Sequence, residues 1–186
     1  GFNNAVANRV LAKVGQRVPA NIDPGHDLTD YVATTLGDRY DALLPRMQGN
    51  LDGKFLNDVD AVKNAARGGT IPDEQFNRLN DLIKTQILDK AYQAGGTLDG
   101  PTVKGIQEQL GDLSTGLRSD PSFDNRTLGK YVGQLRDAVN GMLERSNPQL
   151  APELRKTNAA YADYVKLRTA QKAVTGDNAF TPKQYQ

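Results

Sequence analysis

His26 is the one histidine of the chain and sits in the loop Pro24-Gly25-His26-Asp27. A histidine acting as general base needs a positioned partner to orient its ring. Asp27 is only its sequence neighbour, so His26 reads as a solvated residue beside a helix start. Asp58 with Asp60, and Asp120 with Asp124, place carboxylates at short spacing. A calcium loop needs oxygen ligands at alternating positions, a central glycine and a closing glutamate, and neither stretch has them. The glutamates are Glu74, Glu108, Glu144 and Glu153. Glu144 is followed by Arg145-Ser146 without the aromatic and glycine motifs that a lytic transglycosylase would add. There is no Gly-x-Ser-x-Gly elbow and no Gly-Lys-Ser/Thr phosphate loop. With Cys at 0 there is no thiol nucleophile, disulfide or thiolate metal site. No catalytic residue, metal ligand or cofactor is therefore assigned, and the expectation is a non-enzymatic chain.

The basic residues point elsewhere. Lys130, Arg136, Arg155, Lys156, Lys166, Arg168 and Lys172 could touch phosphates. The stretch from Arg118 to Lys172 carries a net charge of +4 against −3 for the remainder, within an overall balance of +1. These cations are interleaved with Asp137, Glu153 and Asp163, however. The reading is a charged helix surface first and a weak DNA contact second.

The elements that would position these residues are helical. Hydrophobic residues make up 38 % of the chain and the mean hydropathy is −0.59, a composition that suits helices with much wet surface. No apolar run approaches a membrane span. Apolar residues at Phe2, Val6, Val10, Leu11 and Val14 predict an N-terminal helix closed by Gly15. The Pro- and Gly-bearing loop that follows suggests that residues 1–25 form an arm, packed on another copy or on chain beyond this sequence. Residues 26–186 then form the bundle. Asp27 to Leu44 reads as helix interrupted at Gly37. Asp52 to Ala66 is closed by Gly68-Gly69, and the starts Ile71-Pro72-Asp73-Glu74 and Leu98-Asp99-Gly100-Pro101 open two further helices. Leu128, Tyr131, Val132, Leu135, Val139, Met142 and Leu143 form the cleanest stripe in the chain. Asn147-Pro148 ends that helix, and Leu150, Leu154, Tyr161 and Val165 line the next. The short joint predicts an antiparallel hairpin burying Leu135, Met142, Leu154, Tyr161 and Val165. Asn158 shares the last stripe, either as a buried register-setting amide or as an exposed interface amide. The expected class is all-α, an elongated bundle of about six to eight helices without a sheet. Thr181-Pro182-Lys183-Gln184 reads as one more helix start, so the chain is expected to be a fragment of a longer polypeptide.

Arg145-Ser146-Asn147-Pro148, Leu154-Arg155-Lys156-Thr157-Asn158-Ala159-Ala160-Tyr161-Ala162 and Phe180-Thr181-Pro182-Lys183-Gln184 carry a resemblance, as does Leu36-Gly37-Asp38-Arg39-Tyr40-Asp41-Ala42-Leu43-Leu44-Pro45. In these short, degenerate motifs the chain resembles a helical region of tailed-phage and prophage virion proteins. Those are large internal or tail-associated proteins, DNA-ejection (pilot) proteins among them. The resemblance implies a virion component whose partners are other virion proteins or copies of itself, and it carries over no catalytic residue. The alternative is a helical protein-binding or adaptor module unrelated to virions, working in the host cytoplasm.

Overall fold

The computed structural model describes residues 3–23 and 25–175, without the side chains of residues 26 and 170–175. Phe2 and the expected helix start at Thr181 lie outside the described residues. The fold is all-α: the helices are α1 (Asn4–Ala12), α2 (His26–Leu43), α3 (Gly53–Gly68), α4 (Asp73–Leu82), α5 (Asp89–Gln93), α6 (Gly100–Arg118), α7 (Phe123–Ser146) and α8 (Ala151–Thr175). A π-turn over Ile83–Leu88 joins α4 to α5 as one continuous rod, with the Asp89 N–H donating to the Lys84 carbonyl. Side-chain caps start several helices: Asn3 for α1, Asp52 for α3, Asp99 for α6 and Ser122 for α7 each accept a first-turn N–H. The expected break at Gly37 is absent, because α2 runs straight through it; one exposed-side glycine costs a helix only ~1 kcal/mol. A small antiparallel ladder was not expected. Gln48–Asn50 (β1) pairs with Thr97–Asp99 (β2) in the register Gln48↔Asp99, Gly49↔Leu98, Asn50↔Thr97. Strands of three residues are too short to show a period of two in sequence.

The chain divides into two compact units. The first comprises residues 1–42 and 152–186, and the second is the continuous segment 43–151 between them. In the second unit α7 is the hub, packing against α6, α3, α4 and β1. Its buried stripe of Leu128, Tyr131, Val132, Leu135, Val139, Met142 and Leu143 shares the unit's interior with Phe55, Val59 and Val62 of α3, Leu79 of α4 and Val103, Ile106 and Leu110 of α6, the three helices it packs against. The α6–α7 seam is tight at Gly129: a Cβ there would lie 2.9 Å from the Leu117 Cβ and 3.0 Å from the Arg118 nitrogen. The Gly129 carbonyl accepts the buried Ser114 hydroxyl at 2.6 Å, so that hydroxyl is paired rather than stranded.

In the first unit α1, α2 and α8 share one core of Ala7, Val10, Leu11, Val14, Leu28, Val32, Leu36, Ala160 and Tyr164. This overturns the arm expectation for residues 1–25, since the α1 stripe is covered by its own chain. The loop after α1 is held by the Val18 N–H donating to Asn8 Oδ1 at 2.8 Å, with Val18 and Ile22 packed against the core. A Lys13–Asp163 ion pair ties α1 to α8.

The expected α7–α8 hairpin is also corrected. The two helices fall in different units, and each finds its buried partners in its own. A short joint fixes where the next helix begins, but not which stripe it will bury. Among the described side chains of α8 the buried ones are Ala151, Leu154, Thr157, Ala160 and Tyr164, and from Thr157 on this stripe is rotated one residue from Leu154, Asn158, Tyr161 and Val165. Both series have helical spacing. The structure instead buries Thr157, whose hydroxyl is satisfied by the Glu153 carbonyl at 2.9 Å, and Ala160, which lets helices approach closely. Tyr161 is 42 % exposed and Val165 is half-buried at the edge of the core.

Candidate functional site

The segment Arg145-Ser146-Asn147, at the end of α7, engages residues 48–52 side chain by side chain. Arg145 forks onto Asp52, with Nε to Oδ2 at 2.7 Å and Nη2 to Oδ1 at 2.8 Å. Ser146 Oγ accepts the Asn50 N–H at 3.0 Å. The Asn147 amide accepts the Gln48 N–H at 3.1 Å and donates to the Gln48 carbonyl at 2.8 Å, and its Nδ2 also donates to the Leu143 carbonyl at 2.8 Å. Asn147 therefore satisfies the outer edge of β1 in the way a neighbouring strand would. Asp52 does double duty, since its Oδ1 also caps α3 through the Phe55 N–H at 2.7 Å. The Arg145 guanidinium, helped by that N–H, holds the Asp52 carboxyl down at about 2 against the opposing effect of desolvation. Arg145 is pushed up correspondingly by its bond to Asp52. This clasp joins residues 93 or more apart in sequence.

The basic residues expected to contact DNA are divided between the two units. Lys130 and Arg136 belong to the second unit; Arg155, Lys156, Lys166 and Arg168 belong to the first. All six are exposed, and the Lys172 side chain lies outside the described residues. Lys156 pairs with Glu153 at 3.2 Å, and Glu153 also takes Arg39 at 3.1 Å. Lys130 stands 5.7 Å from the Tyr131 ring centre. Arg168 lies over Tyr164 at 5.5 Å. Arg136 runs alongside Gly111, where a Cβ would sit 3.3 Å from its Nε. Asn158 resolves to neither alternative read from sequence: it is half-buried and its Oδ1 accepts the Tyr40 hydroxyl at 2.7 Å. Tyr161 stacks edge-on to Tyr40, ring centres 6.2 Å apart. Leu135, Met142 and Leu154 are each buried to about 1 % exposure or less.

Two of the candidate acids, Asp58 and Asp120, are engaged in helix chemistry. Asp58 pairs with Lys54 one turn earlier. Asp120 accepts the Ser122 N–H at 2.8 Å in the turn before α7. Among the described residues no group of His, Cys, Asp and Glu is placed to hold a metal ion, and no helix is long and apolar enough to cross a membrane. A polar seam runs between α6 and α7: buried Gln107 donates to Asn140 at 3.0 Å, Asn140 donates to Glu144 at 3.3 Å, and burial pushes the Lys104 ammonium down.

An open groove of about 540 Å³ lies between α3 and α7, lined by Asp58, Ala61, Val62, Ala65, Gln134, Asp137 and Ala138. Its lining is alanine and valine with two carboxylates and an amide, and no cation lines it. Sequence reading missed both groove and clasp. Ala61 and Ala65 at helical spacing are a visible hint of the groove, whereas nothing local to Asp52 or Arg145 announces their meeting. No protein-family model, no curated protein and no solved structure matches this chain.

Proposed function

We propose that the chain is a non-catalytic structural and interaction domain of a tailed-phage particle, of the internal or tail-associated kind that accompanies genome ejection. Its partners are other particle proteins or copies of itself. The observation that carries the reading is the use made of Arg145-Ser146-Asn147, one of the segments on which the virion resemblance rests. Its side chains are spent on locking the chain's own fold rather than on presenting reactive groups, which is what a structural component requires of its signature residues. DNA contact is the weaker part of the proposal: the exposed cations are spread over two units and Lys156 is matched locally by Glu153. Deleting the coding segment from the phage tests the proposal. The expected result is particles with a severe loss of infectivity, or a failure to complete particles. An unchanged titre overturns the virion reading and favours a binding module unrelated to particles.

A further inference from the structure

We propose that the α3–α7 groove is the socket for α8 of a second copy of this chain. The inference rests on the reading of the chain as a structural domain that assembles with itself, and it names the two surfaces that meet. Along α8, Arg155, Ala159, Ala162, Lys166 and Thr169 are all exposed. Steps of four, three, four and three residues put them on one helix face, about 16 Å long from Arg155 to Lys166 at the helical rise. That face is small in the middle and cationic at both ends, with no carboxylate within it. The groove has the complementary character: it is lined by Ala61, Val62, Ala65 and Ala138 together with Asp137 and with Asp58, which Lys54 pairs on its own helix. Alanine against alanine lets helix axes approach to the short end of the usual ~8–10 Å spacing. Asp137 and Lys166 are exposed charges with no hydrogen-bonded or ion-paired partner among the described residues. Lys166 sits close enough to Asp163 to help Lys13 hold that carboxyl down, which leaves its ammonium available to a second anion. Seated in the groove, Lys166 pairs with Asp137.

Socket and plug are different surfaces, so the contact is head-to-tail. Such contacts propagate into rings or filaments rather than stopping at a dimer. This property makes the test sharp. Ala61→Arg fills the socket and sets a cation against the incoming Lys166, and Ala162→Glu puts a carboxylate on the plug. Both positions are exposed on helices and Arg and Glu are helix formers only slightly weaker than Ala, so circular dichroism should match the parent. Sedimentation velocity over a concentration series is the readout. The parent is expected to associate with rising concentration, several-fold less in ~0.5 M salt than in ~0.1 M. Each variant alone is expected to stay monomeric where the parent assembles. An equimolar mixture of the two is expected to form a heterodimer and nothing larger, since one intact plug and one intact socket remain. A parent that stays monomeric to ~1 mM, either variant assembling like the parent, or a mixture that fails to pair overturns the proposal. The outcome is independent of the phage reading: association with unchanged phage titre on deletion removes the particle and keeps the interface, and the reverse result removes the interface alone.

Discussion

Replacing Asn147 by alanine removes three hydrogen bonds at once: from the Gln48 N–H at 3.1 Å, to the Gln48 carbonyl at 2.8 Å and to the Leu143 carbonyl at 2.8 Å. A net ~0.5–1.5 kcal/mol per bond would give about 1.5–4.5 kcal/mol if the freed groups stayed dry. Gln48 is exposed and Asn147 half-buried, so water replaces much of what is lost and the expected cost is about 1–2 kcal/mol. For a unit of this size that lowers the melting temperature by roughly 4–8 °C. Denaturant melts followed by circular dichroism measure it directly. Asn147→Asp keeps the acceptor for the Gln48 N–H but loses the donor and sets a carboxylate beside two carbonyl oxygens. It should therefore be at least as destabilising as alanine. Asn57→Ala, at an exposed site on α3, serves as the control and should be neutral or slightly stabilising. If Asn147→Asp melts with the parent chain, the amide is not serving as the missing strand edge and the clasp is misread.

Other consequences are measurable in the same way. Asp52 has its folded pKa lowered from 3.8 to about 2, so its contribution is complete above pH ~4 and is lost as the pH falls through 2. The Asp52 and Arg145 side chains are 37 % and 35 % exposed, which screens the pair to a value of about 1 kcal/mol. Melts of the parent against Asp52→Asn should therefore converge near pH 2, and a gap that persists there refutes the assignment. Leu154→Ala should cost ~2–5 kcal/mol, whereas Tyr161→Ala should cost distinctly less, because Leu154 is 1 % exposed and Tyr161 42 %; equal losses would restore the stripe read from sequence. Gly100→Ala should destabilise by ~1–3 kcal/mol or more, since its Cβ would fall 2.0 Å from the Leu44 carbonyl oxygen. Gly105→Ala on the same helix meets nothing within 4 Å and should stabilise by ~0.5–1 kcal/mol.

Much of the fold was legible because helices announce themselves locally. Asp52, Asp99 and the Gly68-Gly69 stop mark helix ends that the structure keeps within a residue or two, and the stripe from Leu128 to Leu143 is buried along its length. What failed is what local pattern does not encode. Period cannot decide between Leu154-Asn158-Tyr161-Val165 and Leu154-Thr157-Ala160-Tyr164, because both keep helical spacing and only the partner's shape selects between them. Nor could it show that α1 is covered by α2 and α8, or that α8 leaves α7 for another unit; those are facts of long-range pairing. The clasp was least visible of all. Arg145 and Asp52 are 93 residues apart and each looks locally like an ordinary helix-end charge.

The reading of this chain as a particle component is tested most directly by counting it in particles. Phage particles purified by density gradient, washed in ~1 M salt to remove screened surface adsorption, and quantified by peptide mass spectrometry would give its copy number relative to the major shell protein. The account predicts a constant, reproducible ratio across preparations that survives the wash. A chain that stays in the unsedimented fraction, or whose ratio drifts toward zero with washing, would contradict it.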